Sequence, residues 1–126
     1  MLRQAEANIL FEKTTSVAPA PQIQEVKDTV SGKFNEELTP GEVVEIRGNN
    51  LKIDGDHADC GLWFVPETGT PVKADVFVQN KPSLVIAMIP VLSTGKYQVK
   101  IVSQYASGKN LIYPKAFTFG KILSIQ

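Results

Sequence analysis

The sequence predicts an all-β fold, with seven strands arranged as a two-sheet antiparallel sandwich. Three observations carry that expectation. Gly95 to Tyr105 alternates, with Tyr97, Val99 and Ile101 on one side and Lys96, Gln98 and Lys100 on the other. Successive side chains of a strand point to opposite faces, so this stretch has one apolar and one polar face and is expected to lie over a core. Turn-forming clusters of Gly, Pro, Asn, Asp and Ser recur about every eight to twelve residues, the spacing of turns between short strands. No helical period is found after Ile23.

Taken in order, residues 1–22 read as an N-terminal extension and linker, and residues 23–126 as the domain. The chain starts polar and weakly helical. Asn8 to Lys13 has the pattern of a short strand, and Glu6 to Lys13 suits pairing with a sheet edge or a neighbouring chain. Val17-Ala18-Pro19-Ala20-Pro21 favours extended polyproline II geometry. The first strand runs around Gln22 to Val26, where Ile23 and Val26 alternate imperfectly and predict a bulge. Turn-forming residues follow at Ser31-Gly32 and from Asn35 to Pro40. They end in Thr39-Pro40-Gly41, where Pro presets one dihedral of a type II turn and Gly accepts the positive φ after it. The second strand is Val43 to Arg47, ended by Gly48-Asn49-Asn50, and Lys52 to Gly61 is an Asp- and Gly-rich loop.

Leu62-Trp63-Phe64-Val65, a continuous apolar run between Gly61 and Pro66, suits a third strand covered on both faces, with Trp63 at the middle of the core. Val72, Ala74, Val76 and Val78 alternate with Lys73, Asp75 and Phe77 as a fourth. Gln79-Asn80-Lys81-Pro82 reads as a turn into a fifth, Ser83 to Ile89, which Pro90 stops because it has no N–H for the ladder. Gly95 to Tyr105 is the sixth. Ala106 to Asn110 is a turn cluster, and the seventh strand begins at Ala116 and carries Phe117 and Phe119, with Ile122, Leu123 and Ile125 beyond.

Bulk properties narrow the function classes. An apolar fraction of 43% with 21% charged residues is that of a folded domain and not of a disordered chain. Thirteen basic and thirteen acidic residues cancel, which removes the long-range positive field of a dedicated nucleic-acid binder and leaves only a local patch to supply one. Cys60 is the single cysteine, so no internal disulfide forms. The longest apolar run, Leu84 to Leu92, is broken by Pro90 and falls short of the roughly 20 residues of a membrane-spanning helix. Charges near Met1 stand where a signal peptide has its apolar segment, so no export signal is expected.

The motifs, in their order along the chain, resemble an IPT/TIG-type immunoglobulin-like domain. They are Pro21-x-Ile23, Leu38-Thr39-Pro40-Gly41, Val44-x-Ile46-x-Gly48-x-Asn50-Leu51, Ile89-Pro90, Gly95-x-Tyr97-x-Val99-x-Ile101 and Phe117-x-Phe119. The run from Gly48 to Asp56 into Gly61-Leu-Trp-Phe-Val65 is more similar still to an uncharacterised bacterial family of such domains, whose members often follow a histone-like, HU-type DNA-binding domain. The resemblance implies a seven-stranded immunoglobulin-like sandwich used as a non-catalytic interaction or spacer module. It carries over no catalytic residue. Where it is joined to a histone-like domain, it implies a cytoplasmic location.

Candidate sites are few. Asp54, Asp56 and Asp59 share a loop and are oxygen ligands of the kind calcium takes, but no Glu closes a loop of about twelve residues as in an EF-hand. Asp and Gly also make turns for local reasons, and that is the expected role here. His57 and Cys60 are too few for zinc, which needs three or four protein ligands, and lack the third group that orients a nucleophile and its base. Catalytic residues, metal and cofactor are accordingly expected to be none. Trp63, Phe64, Tyr97, Tyr105 and Tyr113 are the aromatic candidates for a sugar platform, with Trp63 and Tyr97 assigned to the core and Tyr105 and Tyr113 to the surface. Lys96, Gln98 and Lys100, with Lys109 and Lys115, are candidates for a polar sheet face that either contacts phosphate or guards an edge.

The expected function is a non-catalytic binding or structural module that contacts a protein partner or adjacent domain. The contacts fall in the Asp54 to Cys60 loop and the Tyr105 to Tyr113 turn, which includes Lys109. An accessory domain of a histone-like DNA-binding protein and a carbohydrate-binding module are the alternatives.

Overall fold

Residues 20–106 and 109–125 are described in a computed structural model, so the expectations for Glu6 to Lys13 and for Val17 to Pro19 fall outside the described residues. Ten strands follow one another: β1 (Gln22–Asp28), β2 (Glu37–Leu38), β3 (Val43–Asn49), β4 (Gly61–Pro66), β5 (Val72–Lys73), β6 (Phe77–Lys81), β7 (Leu84–Met88), β8 (Gly95–Ala106), β9 (Lys109–Thr118) and β10 (Leu123–Ile125). They form two sheets. The first has the order β1-β3-β7-β6 and the second β2-β10-β8-β4-β5, with β9 beside β10 along the same edge of β8. Every pairing is antiparallel except the short β2 on β10. This is the arrangement of an immunoglobulin-like sandwich.

Alternation decides which side chains meet between the layers. Val44 and Ile46 of β3 and Val85 and Ala87 of β7 face Leu62 and Phe64 of β4 and Tyr97, Val99 and Ile101 of β8, and all are buried. Tyr97 also ties down a turn, its hydroxyl donating to the Ser93 carbonyl at 2.8 Å. The bulge expected in the first strand is present as a register shift between Ile23 and Glu25. Asp28, at the end of β1, is fully buried, and its Oδ2 accepts from the hydroxyls of Ser31 (3.0 Å) and Thr39 (2.8 Å). Those bonds fix the approach to Pro40-Gly41, where Gly41 takes a φ of 79° and the Glu42 amide donates to the Thr39 carbonyl. Gly48 lies inside β3, not beyond its end, and the backbone of β1 comes so close there that a Cβ would collide with the Gln22 carbonyl oxygen.

Four further expectations are corrected. Trp63 is not in the core: it pairs with Lys100 across β4 and β8 and points outward, while Phe64, opposite Val99, fills the interior. The stretch from Val72 to Val78 is not one strand. After Ala74 the chain leaves the second sheet, so β5 pairs with β4 and β6 with β7. Gln79 to Lys81 is strand and not turn, with the Asn80 side chain bonding both the amide and the carbonyl of Ile53 at 2.8 Å. The last strand starts at Lys109, and after Thr118 it resumes as β10.

The inward and outward positions of β4 differ in what they cost to change. Phe64→Ala should lower the free energy of unfolding by about 3–5 kcal/mol, because it empties a closed position. Trp63→Leu should cost less than about half of that. Urea unfolding of the two variants beside the parent checks the assignment, and a larger loss at Trp63 would reverse it.

Candidate functional site

Two of the sites read from the sequence lie at one end of the sandwich. Ser103 falls on the inward side of β8, where the alternation of Tyr97, Val99 and Ile101 calls for an apolar residue, and it is fully buried. Its hydroxyl donates to the Lys52 carbonyl at 2.6 Å and accepts the Asp54 amide at 3.1 Å. Gln104 completes the attachment. Its Oε1 accepts the His57 amide at 3.0 Å, and its Nε2 donates to the Leu111 carbonyl at 2.9 Å and to that of Ile112 at 3.1 Å. One side chain thus joins the Asp54 to Cys60 loop to β9, and brings together the two segments singled out from the sequence.

Within that loop the carboxylates act locally. Asp54 Oδ1 accepts the Gly55 amide at 2.9 Å, and Asp56 is exposed. His57 Nδ1 accepts the Asp59 amide at 3.1 Å and lies 3.8 Å from the Asp59 carboxylate. Among the described residues, no group of three or more His, Cys, Asp or Glu converges as a metal site would. Cys60 is buried beneath the loop with Sγ 3.7 Å from Gln104 Oε1. Burial pushes its thiol up from its ordinary value, the hydrogen bonds from Gln104 and His57 acting in the opposite sense. Tyr105 is half-buried, with Lys52 Nζ 5.5 Å from its ring centre, whereas Tyr113 is 78% exposed beside Ile112 at 84%. The side chain of Lys109 lies outside the described residues.

The second site is legible in the sequence only in part: Lys96, Gln98 and Lys100 are expected on a polar sheet face, but Trp63 is expected in the core and Lys73 is not placed beside them. The outer face of the second sheet carries a cross-strand row in register: Lys73 of β5, Trp63 of β4 and Lys100 of β8. Lys96 and Gln98 stand on the same face, as β8 alternates. Trp63 is held from two sides, its indole Nε1 donating to the Asp59 carbonyl at 2.9 Å and Lys73 Nζ lying 5.3 Å from the ring centre. Lys73 Nζ also donates to the Ala58 carbonyl at 3.1 Å, and its stem crosses Gly61, where a Cβ would collide with it. Beside the ring runs a groove of about 210 Å³ lined by Asp59, Trp63, Val65, Pro71, Lys100 and Val102. Lys73, Lys96 and Lys100 form no ion pair with another described residue. The charged groups on the outer face of the other sheet include Glu25 and Glu45 around Arg47.

Residues 22–116 match the family described as a domain of unknown function (DUF4469) with IG-like fold. The chain belongs to this family. No curated protein matches the sequence. Among solved structures, one similar chain is described as a "Putative bacterial DNA binding protein" from Bacteroides vulgatus ATCC 8482. The two superpose with a TM-score of 0.76 at 25% identity, over 97% of this chain and 52% of that one. This Ig-like domain therefore spans about half the length of the protein it resembles.

Ser103 was the legible signal for the loop attachment, a polar residue where the alternation required an apolar one. Gln104 had no such mark, since an outward position tolerates any polar side chain. The attachment predicts how Cys60 behaves. A thiol with a raised pKa forms its reactive thiolate only above the ordinary range, so alkylation in the folded protein should be slow at pH 8 and keep rising past about pH 9. Gln104→Ala should release the loop and raise the Cys60 rate at pH 8 by about tenfold, read with a chromogenic disulfide reagent.

Proposed function

We propose that this Ig-like domain is a non-catalytic accessory module of a DNA-binding protein, and that it meets the phosphate backbone with the outer face of its second sheet. The observation that carries this reading is the placement of Lys73, Lys96 and Lys100 on one face with no acidic ion-pair partner among the described residues, on a chain whose net charge is zero. Lysines so arranged attract phosphate without reading sequence. The likeness to half of a chain described as a DNA-binding protein supports it, as does the resemblance to IPT/TIG-type domains that follow a histone-like domain. In that setting the module works in the cytoplasm and adds contacts to DNA already held by its neighbour.

A protein-facing reading is favoured by a different observation. Ile112 and Tyr113, consecutive in β9, are both largely exposed, which suits contact with an adjacent domain or partner.

Fluorescence anisotropy with a labelled duplex distinguishes the two. Three phosphate contacts predict weak binding whose logarithm falls with the logarithm of salt at a slope of about −3, roughly fortyfold between 50 and 200 mM. Lys96→Glu with Lys100→Glu should remove most of the affinity and flatten the slope. No binding of this duplex or of a labelled single strand at micromolar protein and low salt would leave the protein-facing module as the function.

A further inference from the structure

We infer that the groove beside Trp63 is a stacking site for an unpaired base, so that this face takes a single strand in preference to a duplex. The inference rests on the reading of the lysine face as a phosphate surface and adds the ligand's class. Three observations carry it.

The first is the ring itself. A buried tryptophan serves packing, but Trp63 stands on the outer face and lines a groove whose other walls include Val65, Pro71 and Val102. An apolar slot beside an aromatic ring suits a planar base. Base faces are free to enter only where the strand is unpaired, since in a duplex each is covered by its neighbours.

The second is the fixed posture of the ring. The bond to the Asp59 carbonyl holds its N–H, and Lys73 sits over one face of the ring without lining the groove. A platform already oriented loses little freedom when a ligand arrives.

The third is charge on both sides of the slot. Lys73 and Lys100 flank Trp63 in the same cross-strand row, about 10 Å apart at two strand spacings, and Lys96 lies about 13 Å along β8 from Lys100. A base against the ring places its own backbone phosphates within reach of these ammonium groups. Among the described residues that line the groove Asp59 is the one carboxylate, and by register it lies at the Val102 end of β8, away from Lys96. A single strand combines the two chemistries this face offers, stacking and phosphate attraction.

Trp63 is the only tryptophan, so its emission reports the site directly. Titrating the chain at low salt with an oligodeoxythymidylate, a duplex of equal length, thymidine monophosphate and inorganic phosphate should quench the emission with the oligonucleotide alone at micromolar concentration. Trp63→Leu should weaken binding of the labelled strand by about 5- to 150-fold and leave duplex binding within about twofold, while Trp63→Phe keeps an intermediate affinity. Far-UV circular dichroism of both variants separates loss of the site from loss of the fold. Duplex bound as well as the strand, with neither quenching nor an effect of Trp63→Leu, overturns the stacking site and leaves the phosphate face standing. Thymidine monophosphate binding as tightly as the strand overturns the strand in favour of a free nucleotide. No binding of either polymer overturns both readings.

Discussion

The pleat of β8 is the constraint on which the rest depends. Its twelve residues pair with β4 along one edge and with β9 and β10 along the other, so the second sheet is built outward from it. Because the side-chain period is two, a slip of one residue in these pairings would turn Tyr97, Val99 and Ile101 to water and Lys96, Gln98 and Lys100 into the core. Burying those three polar side chains without partners is so unfavourable that only one register survives. The same alternation that closes the core therefore sets the lysines on the outer face, and fold and candidate surface come from one pattern.

What could be read from the sequence was what alternation or a fixed dihedral specifies. Tyr97, Val99 and Ile101 announced their face, Thr39-Pro40-Gly41 its turn, and the broken alternation at Ile23 and Val26 its bulge. What could not be read was decided by contacts remote in sequence. In Leu62-Trp63-Phe64-Val65 every residue is apolar, so period two leaves two phases equally good, and only pairing with β8 selects Phe64 for the interior. From Val72 to Val78 the alternation continues through a change of sheet, because Ala74 is bound to Leu62 while Val76 is bound to Met88, on opposite layers. Asn80 looked like a turn residue, yet its amide serves the crossover at Ile53. β2 has two residues and exists only because β10 lies beside it.

Charge shows the same division between what is summed and what is placed. Thirteen charges of each sign cancel, which excludes strong long-range attraction to nucleic acid. The sandwich nonetheless segregates them. Arg47 lies among Glu25 and Glu45 on one outer face, whereas Lys73, Lys96 and Lys100 share the other. Such a distribution would support contact with a polyanion at short range only, screened as salt rises.

The outward place of Trp63 has a physical reason in its one polar atom. An indole N–H taken into an apolar core needs an acceptor there, and the strands that wall this core spend their carbonyls on each other. On the outer face the Asp59 carbonyl is free to accept it, and Lys73 gains the ring as a cation partner. Phe64 has no polar atom and fills the interior without that demand. The chemistry that excludes the tryptophan from the core is thus also what fixes its ring beside a groove, so the loop from Ala58 to Cys60 is anchored by the same side chains that form the candidate binding surface.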